Sequence, residues 1–296
     1  MEAVSEQADV DGESAATTGA AVRLAFVGKG GAGKSSLAGT FCRLLGRRTG
    51  RVLLLDSDPM PGLALSLGIA PSEDGVPEEA VREGPEGGRR YVLRDDWHPE
   101  ALIERSAIRA PDGVHLLQAG KSEGGGLSQA SLHAYQGLLD ALVPGSAPSH
   151  DAGLQVHLGE RPSSLTDWPV VADLPGGTRQ PFMGWGRFAT RFLVVVEPSA
   201  KSVLAARRLR HLATGWSHGR SFEVVAVANK TREAGDADWV AEHTGLPVIA
   251  AVPWDEQVAA AERFGRAPLD HAPDSPAVQA VAALVEHCLQ HEEEQP

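Results

Sequence analysis

The feature that most constrains this chain is a glycine-rich loop between two short apolar segments. Residues 22–27 (VRLAFV) form an apolar run that ends at a glycine, and residues 51–56 (RVLLLD) form a second run. Between them, residues 35–45 place four large apolar side chains at the spacing of one helix face. A strand, loop, helix and strand in this order make one βαβ unit, whose two strands pair in parallel. The chain should therefore build a parallel sheet around this unit.

Further apolar segments alternate with amphipathic ones along the rest of the chain. The pattern predicts strands at 114–118, 168–174, 190–196, 223–228 and 248–252, and helices near 128–142, 200–213, 235–244, 254–264 and 276–290. Regular alternation of this kind predicts the α/β class, with one doubly wound, mostly parallel sheet and helices on both of its faces.

Two stretches depart from this alternation. Residues 1–20 are acidic and small, lack the regions of a signal peptide, and are expected to form a disordered tail. Residues 71–112 are dominated by Pro, Glu, Gly and Arg, which is typical of a mobile insertion or lid. We therefore expect a single domain over residues 21–292 that carries a mobile insertion near 71–112.

Charge and hydropathy argue against two classes of partner. The net charge of −12 weighs against broad nucleic-acid binding, because neutralising phosphates requires a basic surface. The longest apolar run, residues 192–196, is far too short for a membrane helix, and the acidic end HCLQHEEEQP would repel anionic lipid. We expect a cytoplasmic protein for which neither nucleic acid nor membrane is a partner.

The cysteines and histidines predict no metal motif. The two cysteines, Cys42 and Cys288, form no CxxC pair, which excludes a zinc ribbon or a redox motif within one chain. The eleven histidines include no HExxH sequence. Both thiols are expected to pack as small apolar side chains.

The glycine-rich loop carries a phosphate-binding motif. Residues 28–35, GKGGAGKS, fit the pattern G-x-x-x-x-G-K-[S/T] between a strand and a helix. The glycines let backbone amides surround phosphates, the helix N-terminus adds positive potential, Lys34 reaches the β/γ oxygens and Ser35 ligates Mg²⁺. The expected nucleotide-binding residues of the loop are Gly28, Gly30, Gly31, Ala32, Gly33, Lys34, Ser35 and Ser36.

A second lysine in this loop, Lys29 of KGGAGKSS, extends the motif. With it, the sequence resembles the deviant Walker A ATPases, which include chromosome-partitioning and division-site ATPases, nitrogenase iron protein and metallochaperone ATPases. The resemblance implies an ATP-dependent homodimer in which Lys29 reaches the partner's phosphates in trans and acts as an arginine finger does. The alternative is that Lys29 is only a solvent-exposed loop charge.

Two acidic segments continue the resemblance. The segment DSDP (56–59) is similar to switch I of the family, which implies that Asp58 orients the attacking water and supports Mg²⁺, with Asp56 as a supporting acid. The segment ADLPGG (172–177) is similar to the Walker B and switch II region. There, Asp173 would hold Mg²⁺, and Gly176 would bring a backbone amide to the γ-phosphate.

Two further segments resemble the family's base-binding parts. In VANKTR (227–232), Asn229 matches the asparagine that contacts adenine. Arg232 stands where a guanine-binding N-K-x-D motif requires its acid, so ATP is favoured over GTP. The segment AVPWDE (251–256), with Pro253, resembles the part that passes the adenine with its backbone.

Within the family, the sequence is most similar to the accessory ATPases of carbon monoxide dehydrogenase, which serve nickel insertion. The similarity spans about residues 22–265 and includes GKSEGGG (120–126) and VVVEPSAKS (194–202). Those metallochaperones carry a C-x-C metal site in the dimer, where this chain has Gln129-Ala-Ser131. The missing thiolates leave open whether any transition metal is handled.

Two surfaces are candidates for partner recognition. The apolar side chains Phe182, Met183 and Trp185 form either a partner-binding surface or part of the core. The basic residues near one helix form either a solvated helix face or a docking site for an acidic partner. These basic residues are Lys201, Arg207, Arg208, Arg210 and Arg220.

Together these features predict a dimeric switch that binds and hydrolyses Mg·ATP. We expect an accessory or maturation ATPase that acts on a client protein, which the sequence does not identify. The alternatives are a positioning ATPase of the partitioning or division-site type, and a regulatory nucleotide switch with negligible turnover.

Overall fold

The computed structural model describes residues 21–58, 62–72, 75–83, 91–119, 129–143, 164–177, 184–215 and 221–294. The strands are β1 (Arg23–Gly28), β2 (Val52–Asp56), β3 (Val81–Glu83), β4 (Tyr91–Leu93), β5 (Ile108–Arg109), β6 (Val114–Gln118), β7 (Val170–Asp173), β8 (Arg191–Val196), β9 (Glu223–Thr231) and β10 (Val248–Pro253). The helices are α1 (Lys34–Thr49), α2 (Gly62–Leu67), α3 (Pro99–Ser106), α4 (Gln129–Ala141), α5 (Ala200–Gly215), α6 (Asp236–Thr244), α7 (Glu256–Arg263), α8 (Pro268–His271) and α9 (Pro276–Glu294).

Within the described residues, eight strands form the main sheet in the order β10-β9-β8-β1-β7-β2-β6-β5. Every neighbouring pair is parallel except β5 and β6, which are antiparallel. Strands β3 and β4 form a separate antiparallel pair. The predicted α/β class and the mostly parallel, doubly wound sheet are confirmed. The antiparallel edge strand β5 was not predicted, because two residues carry no recognisable period.

Apolar side chains fill both faces of the sheet. In β1, Leu24 and Phe26 pack on the face covered by α1, α2 and α9, and Ala25 and Val27 pack on the face covered by α4, α5 and α6. Alternate residues of a strand point to opposite faces, so a strand covered by helices on both sides is apolar throughout. The continuous apolar runs of the sequence therefore correspond to central strands.

The stretch 71–112 contributes ordered elements where the structure describes it. It contains β3, β4, α3 and β5, and its buried side chains Val76, Trp97 and Leu102 pack in the same core as α4. The mobility of this stretch stays a prediction. The predicted disordered tail, residues 1–20, lies outside the described residues. Over the part of the chain that is described, no helix is both long enough and apolar enough to span a membrane.

Candidate nucleotide-binding site

The glycine-rich loop lies at the carboxyl end of β1, between the ends of β7 and β8. In open α/β sheets this is where ligands bind, because the chain leaves β1 toward one side and later continues on the other. Two glycines make the loop possible. Gly28 has φ 145°, and a Cβ there would lie 2.5 Å from the Val195 carbonyl oxygen. Gly33 has φ 92° and immediately precedes α1, so the loop leads directly into a helix N-terminus.

The two lysines of the loop differ in their surroundings. Lys34 opens α1 and is buried, whereas Lys29 is partly exposed and donates from Nζ to the Gly30 carbonyl oxygen at 3.0 Å. Gly176 lies against the same loop, since a Cβ there would be 3.0 Å from Gly30 Cα and 3.6 Å from Lys34 Nζ. The structure thus brings the predicted switch II glycine beside the predicted phosphate-binding loop.

Two buried carboxylates face this loop from neighbouring strands. Asp56 ends β2 and Asp173 ends β7, and the two residues are register partners in the sheet. Ser35 Oγ donates to Asp173 Oδ2 at 2.5 Å, and the Asp58 backbone N donates to Asp56 Oδ1 at 3.1 Å. Each of the two buried acids is 1% exposed. Two predicted site residues, Ser35 and Asp58, therefore contact this pair of acids, and a third, Asp173, belongs to it.

The electrostatics of this pair favour a bound cation. Burial, followed by the charge of Asp173, raises the pKa of Asp56 to about 8. Burial also raises the pKa of Asp173 to about 6, although the Ser35 hydrogen bond and the Lys34 charge oppose it. Among the described residues, Asp56 Oδ2 and Asp173 Oδ1 accept no hydrogen bond. Buried carboxylate oxygens without partners are costly, and a hard divalent cation would stabilise them.

These residues fit Mg²⁺ better than a metal held by protein alone. In the described ranges, no three His, Cys, Asp or Glu side chains converge on one metal position. Magnesium keeps several waters and uses one or two carboxylates together with substrate phosphates, so it does not require such a cluster. Cys42 and Cys288 are both buried, as expected of packed thiols.

A pocket opens beside the loop. It lies between the ends of β9 and β10 and helices α7 and α9, and it encloses about 520 Å³ including its open mouth. Its lining includes the predicted residues Asn229 and Pro253, together with Ser36, Trp254 and Glu262. Asn229 Nδ2 donates to the Ala32 carbonyl oxygen at 2.7 Å, so this amide also supports the phosphate-binding loop.

Sequence reasoning missed two side chains that line this pocket, Lys230 and Glu262. Lys230 has φ 60°, and its Nζ donates to the Gly31 carbonyl oxygen at 2.8 Å and to Glu197 Oε1 at 2.7 Å. It is adjacent to Asn229 in the motif, which was the available signal. Glu262 accepts a hydrogen bond from Ser36 Oγ but lies on α7 outside any motif. The Arg232 guanidinium lies 4.6 Å from the centre of the Trp254 ring.

The predicted partner-binding surfaces are described only in part. Trp185 is partly buried and packs against the core, with its ring centre 5.8 Å from that of Tyr135. Phe182, Met183, the loop 120–126 and Arg220 lie outside the described residues. The other four basic residues are exposed on α5, where both interpretations of the cluster remain open.

A glycine loop at a helix N-terminus, opposite buried acids at the ends of parallel strands, defines the class of P-loop nucleotide-binding proteins. Comparison with known families agrees. The family model described as the CobQ/CobB/MinD/ParA nucleotide binding domain matches residues 24–269, and the chain belongs to this family. The family resemblance in the sequence is therefore confirmed.

Individual relatives are similar over most of their length. An uncharacterised ATP-binding protein of Methanocaldococcus jannaschii is 28% identical over 258 residues, covering 83% of this chain and 90% of the relative. The carbon monoxide dehydrogenase accessory protein CooC of Rhodospirillum rubrum is 24% identical over 268 residues, covering 85% and 91%. This similarity agrees with the accessory ATPase branch that the sequence motifs indicated.

Solved structures show the same fold. A ParA family ATPase from Chlorobium tepidum TLS superposes with a TM-score of 0.65 at 16% identity, covering 90% of this chain and 98% of that one. The septum site-determining protein MinD from Pyrococcus horikoshii OT3, solved in complex with Mg-ADP, superposes with a TM-score of 0.61 at 15% identity. The match covers 93% of this chain and 100% of that one. At this level of identity the likeness concerns the fold alone.

Proposed function

We propose that this protein is a dimeric molecular switch that binds and hydrolyses Mg·ATP, and that it acts as an accessory or maturation ATPase on a client protein. The observation that carries the proposal is the buried acid pair, Asp56 and Asp173, with unpartnered oxygens beside Ser35 and the phosphate-binding loop. Such an arrangement is unfavourable in the empty protein, and it is explained by a cation and phosphates that complete it.

The proposed roles follow the position of each group. Lys34 and the backbone amides of the loop hold the phosphates, while Ser35, Asp58 and Asp173 hold Mg²⁺, whose charge offsets that of the phosphate oxygens. Asp58 orients the attacking water. Gly176, beside the loop, contacts the γ-phosphate through its amide and loses this contact after hydrolysis, which would switch the conformation.

ATP rather than GTP is the proposed nucleotide. A guanine-specific site needs an acid at the position of Arg232, whose guanidinium instead lies over the Trp254 ring. Asn229 and Pro253 line the pocket where the adenine would lie. The apolar walls around them suit the flat face of a purine.

The client assignment is supported by the similarity to CooC and by charge. Apart from the face of α5, the acidic composition offers little for nucleic acid or anionic lipid to bind, which disfavours a positioning ATPase. Helix α4 begins with Gln129-Ala-Ser131 in place of a thiolate pair, so the proposed role does not include carrying a metal on cysteines. We propose that residues 21–292 perform this role as one domain.

The test uses the trans-acting lysine. If ATP draws two subunits together, Lys29→Ala should lower turnover by about 10³-fold, because the charge that Lys29 brings to the partner's phosphates is lost. Asp58→Ala should bind ATP and lose turnover. Mixing the two variants should partly restore activity, because the site that retains Asp58 then receives an intact Lys29 from its partner subunit. Steady-state ATPase assays of the single and mixed variants measure this.

Arg109→Ala is the control, since it removes an exposed cation of the edge strand β5, which lies four positions from β1 in the sheet. It should leave turnover unchanged. Sedimentation with a non-hydrolysable ATP analogue should show a shift toward dimer that Lys29→Ala weakens. If mixed dimers form and no activity returns, Lys29 does not act in trans. If wild-type protein binds ATP without turnover, the switch is regulatory rather than hydrolytic.

A further inference from the structure

Tyr135 connects helix α4 to the turn that follows β2. Its hydroxyl oxygen lies 2.8 Å from Ser57 Oγ, and both side chains are buried, at 0% and 1% exposure. Ser57 stands between Asp56 and Asp58, the two acids of the predicted switch I segment. A tyrosine hydroxyl in an apolar core is costly unless it is hydrogen-bonded, so the contact with Ser57 is a specific one.

The switch I turn is held from two sides. The Ser57 backbone N donates to the Asp173 carbonyl oxygen at 3.1 Å, which ties the turn to the end of β7. The Ser57 side chain is tied to α4 through Tyr135. Between these anchors, the Asp58 backbone N donates to the Asp56 carboxylate. The direction in which Asp58 leaves the turn therefore depends on both anchors.

Tyr135 is itself positioned by the region after switch II. Its ring centre lies 5.8 Å from that of Trp185 at an angle of 46°. Burial, followed by the charges of Asp56 and Asp173, opposes ionisation and raises the pKa of Tyr135. The hydroxyl is thus a neutral hydrogen-bonding group and does not serve as a base.

We propose that Tyr135 is a positioning residue for ATP hydrolysis, which fixes the switch I turn through Ser57 so that Asp58 is correctly placed. The inference rests on the proposed function, because it assumes that Asp58 orients the attacking water. It adds a residue of α4, a helix with no nucleotide-binding motif, to the set that controls turnover. Displacements of about 1 Å in such a group lower turnover by as much as 10²-fold.

The test is Tyr135→Phe, which removes only the hydroxyl and retains the ring volume. The value of kcat should fall about tenfold or more, while the KM for ATP stays within about twofold, because the phosphate-binding loop is untouched. Ser57→Ala should act in the same way. Since both variants break one contact, the double variant should be no slower than the slower single one. An unchanged kcat in Tyr135→Phe, or effects that multiply in the double variant, would overturn the inference.

A matched control removes a different buried hydroxyl. Thr244 ends α6, is 1% exposed and donates to the Val240 carbonyl oxygen at 2.7 Å. Thr244→Val should lower the melting temperature at least as much as Tyr135→Phe does and leave kcat unchanged. Equal losses of kcat in both variants would indicate a purely structural effect of Tyr135.

A second readout does not depend on turnover. In the nucleotide-free protein, amide hydrogen exchange of residues 56–58 should be about fivefold faster in Tyr135→Phe than in wild type, and unchanged in Thr244→Val. Unaltered exchange in Tyr135→Phe contradicts the inference even if the wild-type protein proves unable to hydrolyse ATP. Conversely, faster exchange in a protein that hydrolyses no ATP supports the contact and refutes only the proposed function.

Discussion

The two ends of the central strands both bury charged groups, but they treat them differently. At the carboxyl ends of β2 and β7, Asp56 and Asp173 are buried side by side, and each has an oxygen that accepts no hydrogen bond from the described residues. At the amino ends of β1 and β8, Arg23 and Arg191 are also buried, but acidic and carbonyl oxygens accept hydrogen bonds from them, although Arg191 Nη1 donates none to the described residues.

At the amino ends of the strands, groups from distant parts of the chain balance the buried arginine charges. Arg23 donates from Nη1 to the Leu142 carbonyl oxygen at 3.0 Å, and Arg191 Nε lies 2.6 Å from Glu223 Oε2. Glu292, near the end of α9, is 8% exposed. Burial raises its pKa, and the charges of Arg191 and Arg23 oppose this. Opposite charges thus neutralise one another within the folded chain.

This difference distinguishes buried charges that stabilise the fold from buried charges that would bind a ligand. A buried charge with its own partners joins elements of the fold, as Arg191 does for β8 and β9. A buried acid with an unpartnered oxygen lowers the stability of the nucleotide-free protein and persists where a ligand completes it. Substitutions at the two ends should therefore affect different properties.

The largest effect is expected from Lys34→Ala at the carboxyl end. Removing the buried cation of the loop should weaken Mg·ATP binding by about a thousandfold or more, since it deletes a desolvated charge-assisted contact. The melting temperature of the nucleotide-free protein should change by only a few degrees. Calorimetric titration and thermal melting measure the two properties. Retained ATP affinity would show that this end is not the nucleotide site.

At the amino end, Arg191→Met should lower stability and leave nucleotide affinity unchanged. This change deprives the buried Glu292 of one neutralising charge and should lower the free energy of unfolding by about 2–3 kcal/mol. The affinity of the folded protein for ATP should remain as in wild type. Glu223→Gln is the control, because Glu223 is 44% exposed and its loss should cost less. Urea denaturation distinguishes the variants. A loss of ATP affinity in Arg191→Met would contradict the separation of the two ends.

The smallest expected effect is an increase in stability. Asp56→Asn removes one of two adjacent buried carboxylates, so in the absence of Mg²⁺ and ATP it should raise the free energy of unfolding by about 1 kcal/mol. Asp112→Asn makes the same change at an acid that has an ion-pair partner, since Arg43 Nε lies 2.7 Å from its carboxylate. This substitution should lower the free energy of unfolding. Urea denaturation without nucleotide compares them. If Asp56→Asn is the less stable of the two, the acid pair is not strained.

The sequence alone predicted the fold class, which the structure confirms, and the position of the glycine-rich loop between a strand and a helix, because both depend on local patterns. The apolar runs correspond to β1, β2, β6, β7, β8, β9 and β10, and the motif GKGGAGKS lies between β1 and α1. A βαβ unit with this loop determines its own parallel pairing and its helix N-terminus. The acids after β2 and at the end of β7 were identified through the family resemblance.

Other features were decided only when the chain folded, because they depend on contacts between distant residues. Strand β7 lies between β1 and β2, and this order, which no local pattern encodes, makes Asp56 and Asp173 neighbours. Packing of α4 brings Tyr135 to Ser57. The Lys230 backbone has a positive φ, and its ammonium contacts the glycine-rich loop. Sequence patterns indicate which residues are buried and with what periodicity they recur. Only tertiary packing decides which buried charges find partners, and this distinguishes the two ends of the sheet.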